Sequence, residues 1–187
     1  MVKKKEISSI KVDKPKQILL CNTNREYKYY TKGIKYRLNG KYQRIPNFVV
    51  KKDGKTELLN KEDVTNFFLE GYHKKDSIIV IALENRGWLR RRSTDGKYVD
   101  WLGDIYNNKA HEKKWRGELF WDGYTTKQMN EVAKLIDLIC EVKKTEKNFI
   151  GHNVLVDGVQ DFKGVVSRSN YNEYWTDLGP SFNFEIL

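Results

Sequence analysis

The sequence has few of the residues that hold metal ions or disulfides. Its 187 residues include two cysteines, Cys21 and Cys140, which lie far apart in the chain. Two cysteines are too few for a disulfide framework or a four-cysteine zinc site. The histidines are also few, namely His73, His111 and His152. Ligands for a transition metal are therefore scarce.

Long apolar runs are absent as well. No stretch approaches the ~18 consecutive apolar residues of a transmembrane helix. The first residues run into polar sequence where a signal peptide would have its apolar core. We therefore expect a soluble protein with no membrane partner, cytoplasmic on synthesis.

Acidic residues are outnumbered by basic ones. The chain has 25 Asp and Glu against 35 Lys and Arg, a net charge of +10, which suggests an anionic partner. A hydrophobic share of 39% and an aromatic share of 13% argue against disorder, and the length suits one domain with its own core. Residues 1–16 carry six lysines and two acidic residues, a net charge of +4. We predict a flexible basic arm over residues 1–16, followed by a single domain over residues 17–187.

Short apolar runs predict the strands of one sheet. The run at 17–21 predicts a first strand, and the continuously apolar run at 77–83 predicts a strand buried on both faces at the centre of the sheet. An Asp-Gly turn joins the runs at 48–50 and 56–59, a strong signal for a β-hairpin.

One segment predicts a long helix, and two segments predict loops. Thr125 and Gln128 form a capping-box pattern, and apolar residues then recur at helical spacing, so we predict a helix over residues 126–142. Residues 27–44 mix tyrosines with Lys and Arg and predict a basic aromatic loop or irregular hairpin. Residues 90–124 show no clear period and predict a long loop with at most one short hairpin. Together these elements predict an α/β domain with one central mixed sheet flanked by helices.

Five segments follow one another in an order that is known from a protein family. They are residues 16–23, 47–54, 79–88, 165–170 and 176–182, the last reading Thr-Asp-Leu-Gly-Pro-Ser-Phe. In this order they resemble the zinc-dependent N-acetylmuramoyl-L-alanine amidases of the phage-lysozyme and peptidoglycan-recognition-protein type, over roughly residues 16–185. The resemblance implies an amidase-like fold, a peptidoglycan substrate and a phage origin, hence a place in the host cytoplasm or the virion.

The chain departs from this family at the positions that bind zinc. Cys21 and Arg168 stand where the family has its two zinc-binding histidines, and only Asp177 is of a ligand type that the family uses. A guanidinium stays charged and offers no lone pair, so Arg168 cannot coordinate a cation. The resemblance therefore implies a degenerate site without a metal cofactor, in which Arg168 and Asp177 form a bidentate salt bridge in place of the ion. Cys21 is then expected to be a small buried hydrophobe.

The family's proton-handling positions are also substituted. Pro46 stands where lysozyme-type members have a tyrosine, Trp175 where a lysine would fall and Ala82 where some members have a glutamate. None of these residues can transfer a proton, so we expect no catalytic residue. The alternative is an active zinc amidase that hydrolyses the amide bond between muramic acid and L-alanine, with His152 or His73 as the missing ligand.

We therefore expect a catalytically degenerate amidase-fold protein that binds a ligand in the former active-site cleft. The ligand is a peptidoglycan fragment or another anionic small molecule such as a nucleotide. Arginines 90–92 lie among aromatic residues, a pattern that suits a planar or anionic ligand. The predicted ligand-binding residues are Asn22, Asn47, Asn85, Arg86, Trp88, Arg90, Arg91, Arg92, Arg168, Asn170 and Trp175.

Nucleic-acid binding by the basic arm and the aromatic loops is a third possibility, although no RRM-like or helix-turn-helix signature accompanies it. The sequence leaves the oligomeric state open.

Overall fold

The computed structural model describes residues 2–69, 71–72 and 77–187. These residues form a single α/β domain with two five-stranded sheets, one mixed and one antiparallel. His73, considered above as a zinc ligand, lies outside them. In chain order the strands are β1 (Gln17–Asn22), β2 (Phe48–Val50), β3 (Thr56–Leu58), β4 (Ile78–Leu83), β5 (Trp88–Arg91), β6 (Tyr98–Val99), β7 (Ile105–Tyr106), β8 (His111–Trp115), β9 (Glu118–Trp121) and β10 (Gly164–Ser167).

Four α-helices accompany the strands in this part of the chain. They are α1 (Lys4–Ser8), α2 (Tyr27–Tyr36), α3 (Thr65–Phe68) and α4 (Thr126–Lys143). Short 3₁₀ turns follow α2 (Arg37–Gly40) and β10 (Arg168–Asn170), and two more lie at Val159–Asp161 and Phe184–Ile186. None of the helices in the described ranges is long and apolar enough to cross a bilayer.

The mixed sheet has the spatial order β10-β1-β4-β2-β3. Its first four strands are parallel to one another, and β3 pairs with β2 as an antiparallel hairpin. Every residue of β1 and β4 is buried, as expected for strands covered on both faces. The predicted strands, the central place of β4 and the hairpin are therefore confirmed. In the hairpin turn Gly54 has a φ of +81°, which suits the Asp-Gly pair.

Alternate residues of the strands build two cores. Even-numbered residues of β1, such as Ile18 and Leu20, pack with the apolar stripe of α4, whereas Leu19 and Cys21 pack on the opposite face with α3. Helix α4 begins as predicted, because Thr125 Oγ1 accepts a hydrogen bond of 3.1 Å from the Gln128 backbone N–H. The predicted helix over 126–142 is confirmed.

The N-terminal segment differs from the predicted flexible arm. Val2, Ile7, Ile10 and Val12 are buried in the same core as α4, and helix α1 lies against α4. Most lysines of this segment are exposed, whereas its apolar residues reach the core, so charge alone misrepresents the segment. Residues 2–16 are part of the domain.

Residues 90–124 also differ from the predicted long loop. They contain most of the antiparallel sheet, with the order β7-β6-β5-β9-β8, whose inward side chains include Leu89 and Trp121. Its strands are two to five residues long, and most residues of β8 are exposed. Strands this short and this polar give too few apolar alternations for sequence periodicity to detect.

Residues 27–44 form helix α2 and a 3₁₀ turn instead of a loop or hairpin. No residue of α2 is fully buried, although Tyr27 and Tyr30 pack against the core on one side. A helix that contacts the core through two tyrosines lacks the apolar stripe by which helices are recognised.

Candidate functional site

Two cavities open near the carboxyl ends of the parallel strands. Ligands of open α/β sheets bind in the crevice outside these strand ends. One cavity has a volume of about 590 Å³ and contains Asn22 from β1 and Arg168, which follows β10; we call it the arginine pocket. The other has a volume of about 500 Å³ and contains Glu84, which follows β4, and Asp122, which follows β9; we call it the mixed-charge pocket. Arg25 lines both.

The arginine pocket has an unusual lining. Among the described residues it contains four arginines, four tyrosines and Trp101, and no Asp or Glu. The arginines come from the loop before α2, from the segment after α2 and from the turn after β10. They are Arg25, Arg37, Arg44 and Arg168, and the tyrosines are Tyr29, Tyr30, Tyr36 and Tyr42.

Each of these guanidinium groups lies over an aromatic ring. The distances from guanidinium carbon to ring centroid are 5.8 Å for Arg25 on Tyr29, 4.8 Å for Arg37 on Tyr42, 5.9 Å for Arg44 on Phe68 and 4.4 Å for Arg168 on Trp175. Stacking of this kind restrains a guanidinium and leaves most of its N–H edge available for an anion. The rings therefore orient the charges without neutralising them.

Arg168 is paired with a carboxylate behind the pocket. Its Nε lies 3.4 Å from Asp177 Oδ2, and Asp177 Oδ1 accepts a hydrogen bond of 2.8 Å from the Asn22 backbone N–H. The predicted pairing of Arg168 with Asp177 is confirmed. The contact is an ion pair through Nε, which has no hydrogen-bond partner among the described residues, so the bidentate form that we predicted is not found.

The residues at the positions where the resemblance to the amidases places zinc ligands do not fit zinc. Cys21 is 1% exposed, and burial, helped by the charge of Asp177, raises the pKa of its thiol far above the ordinary value. Zinc binds the thiolate, which this environment disfavours. The positively charged guanidinium of Arg168 lies in the same part of the site. His152 is exposed and engaged in its own turn, where its Nδ1 accepts a hydrogen bond of 3.3 Å from the Val154 N–H.

The mixed-charge pocket is organised around Asp122, which is 2% exposed. Its Oδ1 accepts hydrogen bonds of 2.8 Å from Lys52 Nζ and 2.8 Å from Tyr106 Oη, and its Oδ2 accepts one of 2.8 Å from the Arg86 N–H. Burial and the charge of Asp122 raise the pKa of Tyr106. With three donors, this carboxylate is occupied in joining the two sheets.

Glu84 has a comparable structural role. Its Oε1 accepts a hydrogen bond of 2.7 Å from the N–H of Tyr27, the first residue of α2, and its Oε2 accepts one of 2.9 Å from the N–H of Lys52. A carboxylate at a helix N-terminus satisfies a free N–H group and complements the helix dipole. Glu84 thereby fixes α2, which forms one wall of the arginine pocket.

A hydrogen bond crosses between the two cavities. Tyr124, which lines the mixed-charge pocket, donates from its hydroxyl to Asn22 Oδ1 at 2.6 Å. Asn22 is 6% exposed, and its Nδ2 has no hydrogen-bond partner in the described ranges. The end of β1 therefore carries an unsatisfied donor beside the arginine pocket.

The structure brings together five of the residues that the sequence singles out. Asn22 and Arg168 line the arginine pocket, with Trp175 behind Arg168. Asn85 and Arg86 line the mixed-charge pocket. All five lie near the carboxyl ends of the parallel strands.

Two other predicted residues are buried structural amides that line neither cavity. Asn47 Oδ1 accepts a hydrogen bond of 2.9 Å from the Val80 N–H, and its Nδ2 donates to two carbonyls of the following loop. Asn170 Oδ1 accepts from the N–H and hydroxyl of Ser167, and its Nδ2 donates to the carbonyls of the 152–154 turn. All their hydrogen-bonding capacity toward a ligand is used internally.

The remaining predicted residues lie on the antiparallel sheet, away from both cavities. Trp88 carries the guanidinium of Arg90 at 4.6 Å from its ring centroid. Arg91 Nε donates to the Gly96 carbonyl at 3.2 Å, and Arg92 pairs with Asp95 in the same turn. The arginine run is thus engaged within the antiparallel sheet.

The sequence does not predict three of the pocket's arginines as site residues. Arg25, Arg37 and Arg44 lie in or beside the segment in which tyrosines alternate with basic residues. That alternation is the one local signal for them, since the pocket itself is created by the folding of α2 over the ends of β1 and β10.

The chain matches no family model, and no curated protein matches it either.

Proposed function

We propose that the protein binds an anionic small molecule in the arginine pocket and does not catalyse a reaction there. The observation that carries this proposal is a set of four ring-stacked guanidiniums in a cavity with no carboxylate among its described lining residues. Such a cavity favours a negatively charged occupant, because Arg binds carboxylate and phosphate through paired N–H donors.

We also propose that the protein descends from an amidase-like ancestor. On this view Arg168 replaced a zinc-binding residue and turned a cation site into an anion site, and Cys21 became part of the core. A peptidoglycan fragment with its carboxylates is the occupant that the ancestry suggests, and a nucleotide is the other class that the charges suit. The support is the ion pair of Arg168 with Asp177 and the burial of Cys21.

The test is a binding measurement on two double variants of equal charge. Arg37→Gln with Arg44→Gln removes two charges from the pocket, whereas Arg90→Gln with Arg91→Gln removes two from the antiparallel sheet. Isothermal titration calorimetry uses a soluble muropeptide and a nucleoside diphosphate as probes, at fixed ionic strength. We expect at least one probe to bind and its affinity to fall about a hundredfold in the pocket variant, since hydrogen bonds to charged groups contribute about 1.5–3 kcal/mol each.

The control variant is expected to bind within about twofold of the unmodified protein, because exposed charges contribute little to a distant site. Equal losses in both variants would mean that the probe responds to overall charge and not to the pocket. Stoichiometric zinc in the purified protein, lost on chelation together with wall-lytic activity, would contradict the non-catalytic part of the proposal and favour the zinc amidase.

A further inference from the structure

We infer that the occupant of the arginine pocket is a nucleotide, with its phosphates among the guanidiniums and its base against the rings at the rim. This inference rests on the proposed function and narrows its ligand to one chemical class. Three features of the pocket lead to it: the number of uncompensated charges, the exposed rings, and a glycine within the pocket wall.

The charges exceed what a single carboxylate can balance. Within the described ranges, Arg25, Arg37 and Arg44 form no ion pair. Arg44 Nε donates a hydrogen bond of 2.6 Å to the Phe67 carbonyl. Phosphate groups concentrate two or three negative charges in a small volume and match guanidinium edges in pairs. A peptide-bearing fragment also brings amide donors and, where it has a free amino group, a cation. The described lining offers no carboxylate to receive these groups.

Three rings around this charge are partly exposed, although Arg25 and Lys28 lie over Tyr29 and Lys35 lies over Tyr36. Tyr36 is 62% exposed, Trp101 is 50% exposed and Tyr29 is 40% exposed. Trp101 is held in place, because its Nε1 donates a hydrogen bond of 2.8 Å to the Asn24 carbonyl. Aromatic side chains beside a positively charged groove stack on nucleobases of any sequence. A cavity of about 590 Å³ also falls in the usual range for small-molecule sites.

Gly33 lies in the pocket wall, inside helix α2. Glycine in the middle of a helix lowers helix stability, so its presence there needs a reason. Packing does not supply one, because a Cβ at this position would meet its nearest atom, Arg25 Nη1, at an ordinary contact distance of 3.9 Å. A side chain there would instead cover the approach to the Arg25 guanidinium. The glycine keeps that charge open to an occupant.

The experiment compares four probes on one protein. Calorimetry measures the binding of ADP, inorganic pyrophosphate, adenosine and a soluble muropeptide. We expect ADP to bind at least tenfold more tightly than pyrophosphate or adenosine, because only ADP uses both the guanidiniums and the rings. The muropeptide is expected to bind more weakly than ADP.

Variants assign the two halves of the ligand. Trp101→Ala is expected to weaken ADP about tenfold and to leave pyrophosphate within twofold, whereas Arg37→Gln with Arg44→Gln weakens both. Tyr36→Ala, at the most exposed of the three rings, gives an independent reading if Trp101→Ala proves unstable. Gly33→Phe is expected to abolish ADP binding, and Gly33→Ala to weaken it to a smaller extent, because a methyl group covers less of the approach to the Arg25 guanidinium.

The possible results distinguish a nucleotide site from an anion pocket of another specificity. A muropeptide that binds through Arg37 and Arg44 while ADP does not would overturn the nucleotide and leave the anion pocket standing. Equal affinity for ADP and pyrophosphate would also overturn the nucleotide, since the base would then contribute nothing. No binding by any of the four probes would overturn both.

Discussion

Single residues decide what chemistry the end of the central sheet can support. Cys21 is buried beside Asp177, and Arg168 places a permanent positive charge where a metal would need a lone pair. The Arg168–Asp177 pair could be predicted from the sequence, because the resemblance to the amidases places these two residues at neighbouring ligand positions and a guanidinium there needs an anion nearby. The other three arginines of the pocket could not, since stacking on a ring leaves no sequence pattern and depends on tertiary contacts.

At this scale we predict that Cys21 resists alkylation in the folded protein. Burial, together with the charge of Asp177, raises the pKa of its thiol, so almost no thiolate forms at pH 8, and the sulfur is also shielded from reagent. The measurement is peptide mass spectrometry after iodoacetamide treatment of a Cys140→Ser variant, with and without urea. Labelling of Cys21 at equal rates in both conditions would show that the thiol is accessible in the folded chain.

Secondary-structure elements were predictable where their apolar residues are continuous or strictly periodic. The runs of β1 and β4 and the stripe of α4 have these properties, and all three lie where the sequence predicts them. Helix α1 and helix α2 have neither property. Their places depend on a few contacts, such as Ile7 in the core and the Tyr27 N–H on Glu84, that only the folded chain assembles.

We predict that truncating Ile7 destabilises the whole domain. Its side chain is fully buried against the core that α4 covers, so Ile7→Ala should lower the free energy of unfolding by about 2–5 kcal/mol. Urea denaturation followed by circular dichroism measures the change. Lys5→Ala, on the exposed face of the same helix, is the control and should stay within about 0.5 kcal/mol. An unchanged urea midpoint for Ile7→Ala would instead support the flexible arm that the sequence predicts.

We also predict that the attachment of α2 weakens in acid. Hydrogen bonds from Lys51 and then from the Tyr27 hydroxyl lower the pKa of Glu57. A carboxyl whose pKa is lower in the folded state stabilises the fold above its unfolded pKa of about 4.3, and this contribution is lost as the pH falls through the folded pKa. Unfolding free energies measured between pH 6 and pH 3 should therefore fall less steeply for Glu57→Gln than for the unmodified chain. If the stability of the two proteins falls in parallel with pH, Glu57 does not contribute to the acid response.

At the scale of the whole molecule, the two sheets in the described part of the chain meet near the candidate site. The mixed sheet follows from sequence periodicity, but the antiparallel sheet does not, because strands of two to five residues with exposed charges resemble loops. The cavities depend on both sheets and on α2. Their lining residues, which run from Asn22 to Arg168, come together only in the complete fold.

At this scale we predict that Asp122 holds the two sheets together. Asp122→Ala removes the carboxylate that accepts hydrogen bonds from Lys52, Tyr106 and the Arg86 N–H, and should lower the free energy of unfolding by about 3–5 kcal/mol. Asp95→Ala removes an equal charge from an exposed turn and should cost about 1 kcal/mol or less. Urea denaturation followed by tryptophan fluorescence measures both. Equal midpoints for the two variants would show that the buried carboxylate does not join the sheets.

The ring-stacked arginines also affect the stability of the folded protein. Like charges confined to one cavity repel one another, and stacking keeps them from turning away into solvent. We therefore expect mutual repulsion among Arg25, Arg37 and Arg44, which form no ion pair within the described ranges, to oppose folding. Dissolved salt screens this repulsion, so simple salts should make the chain harder to unfold, opposite to their effect on exposed ion pairs. The arginines therefore lower the stability of the folded protein, and a bound anion would offset their repulsion.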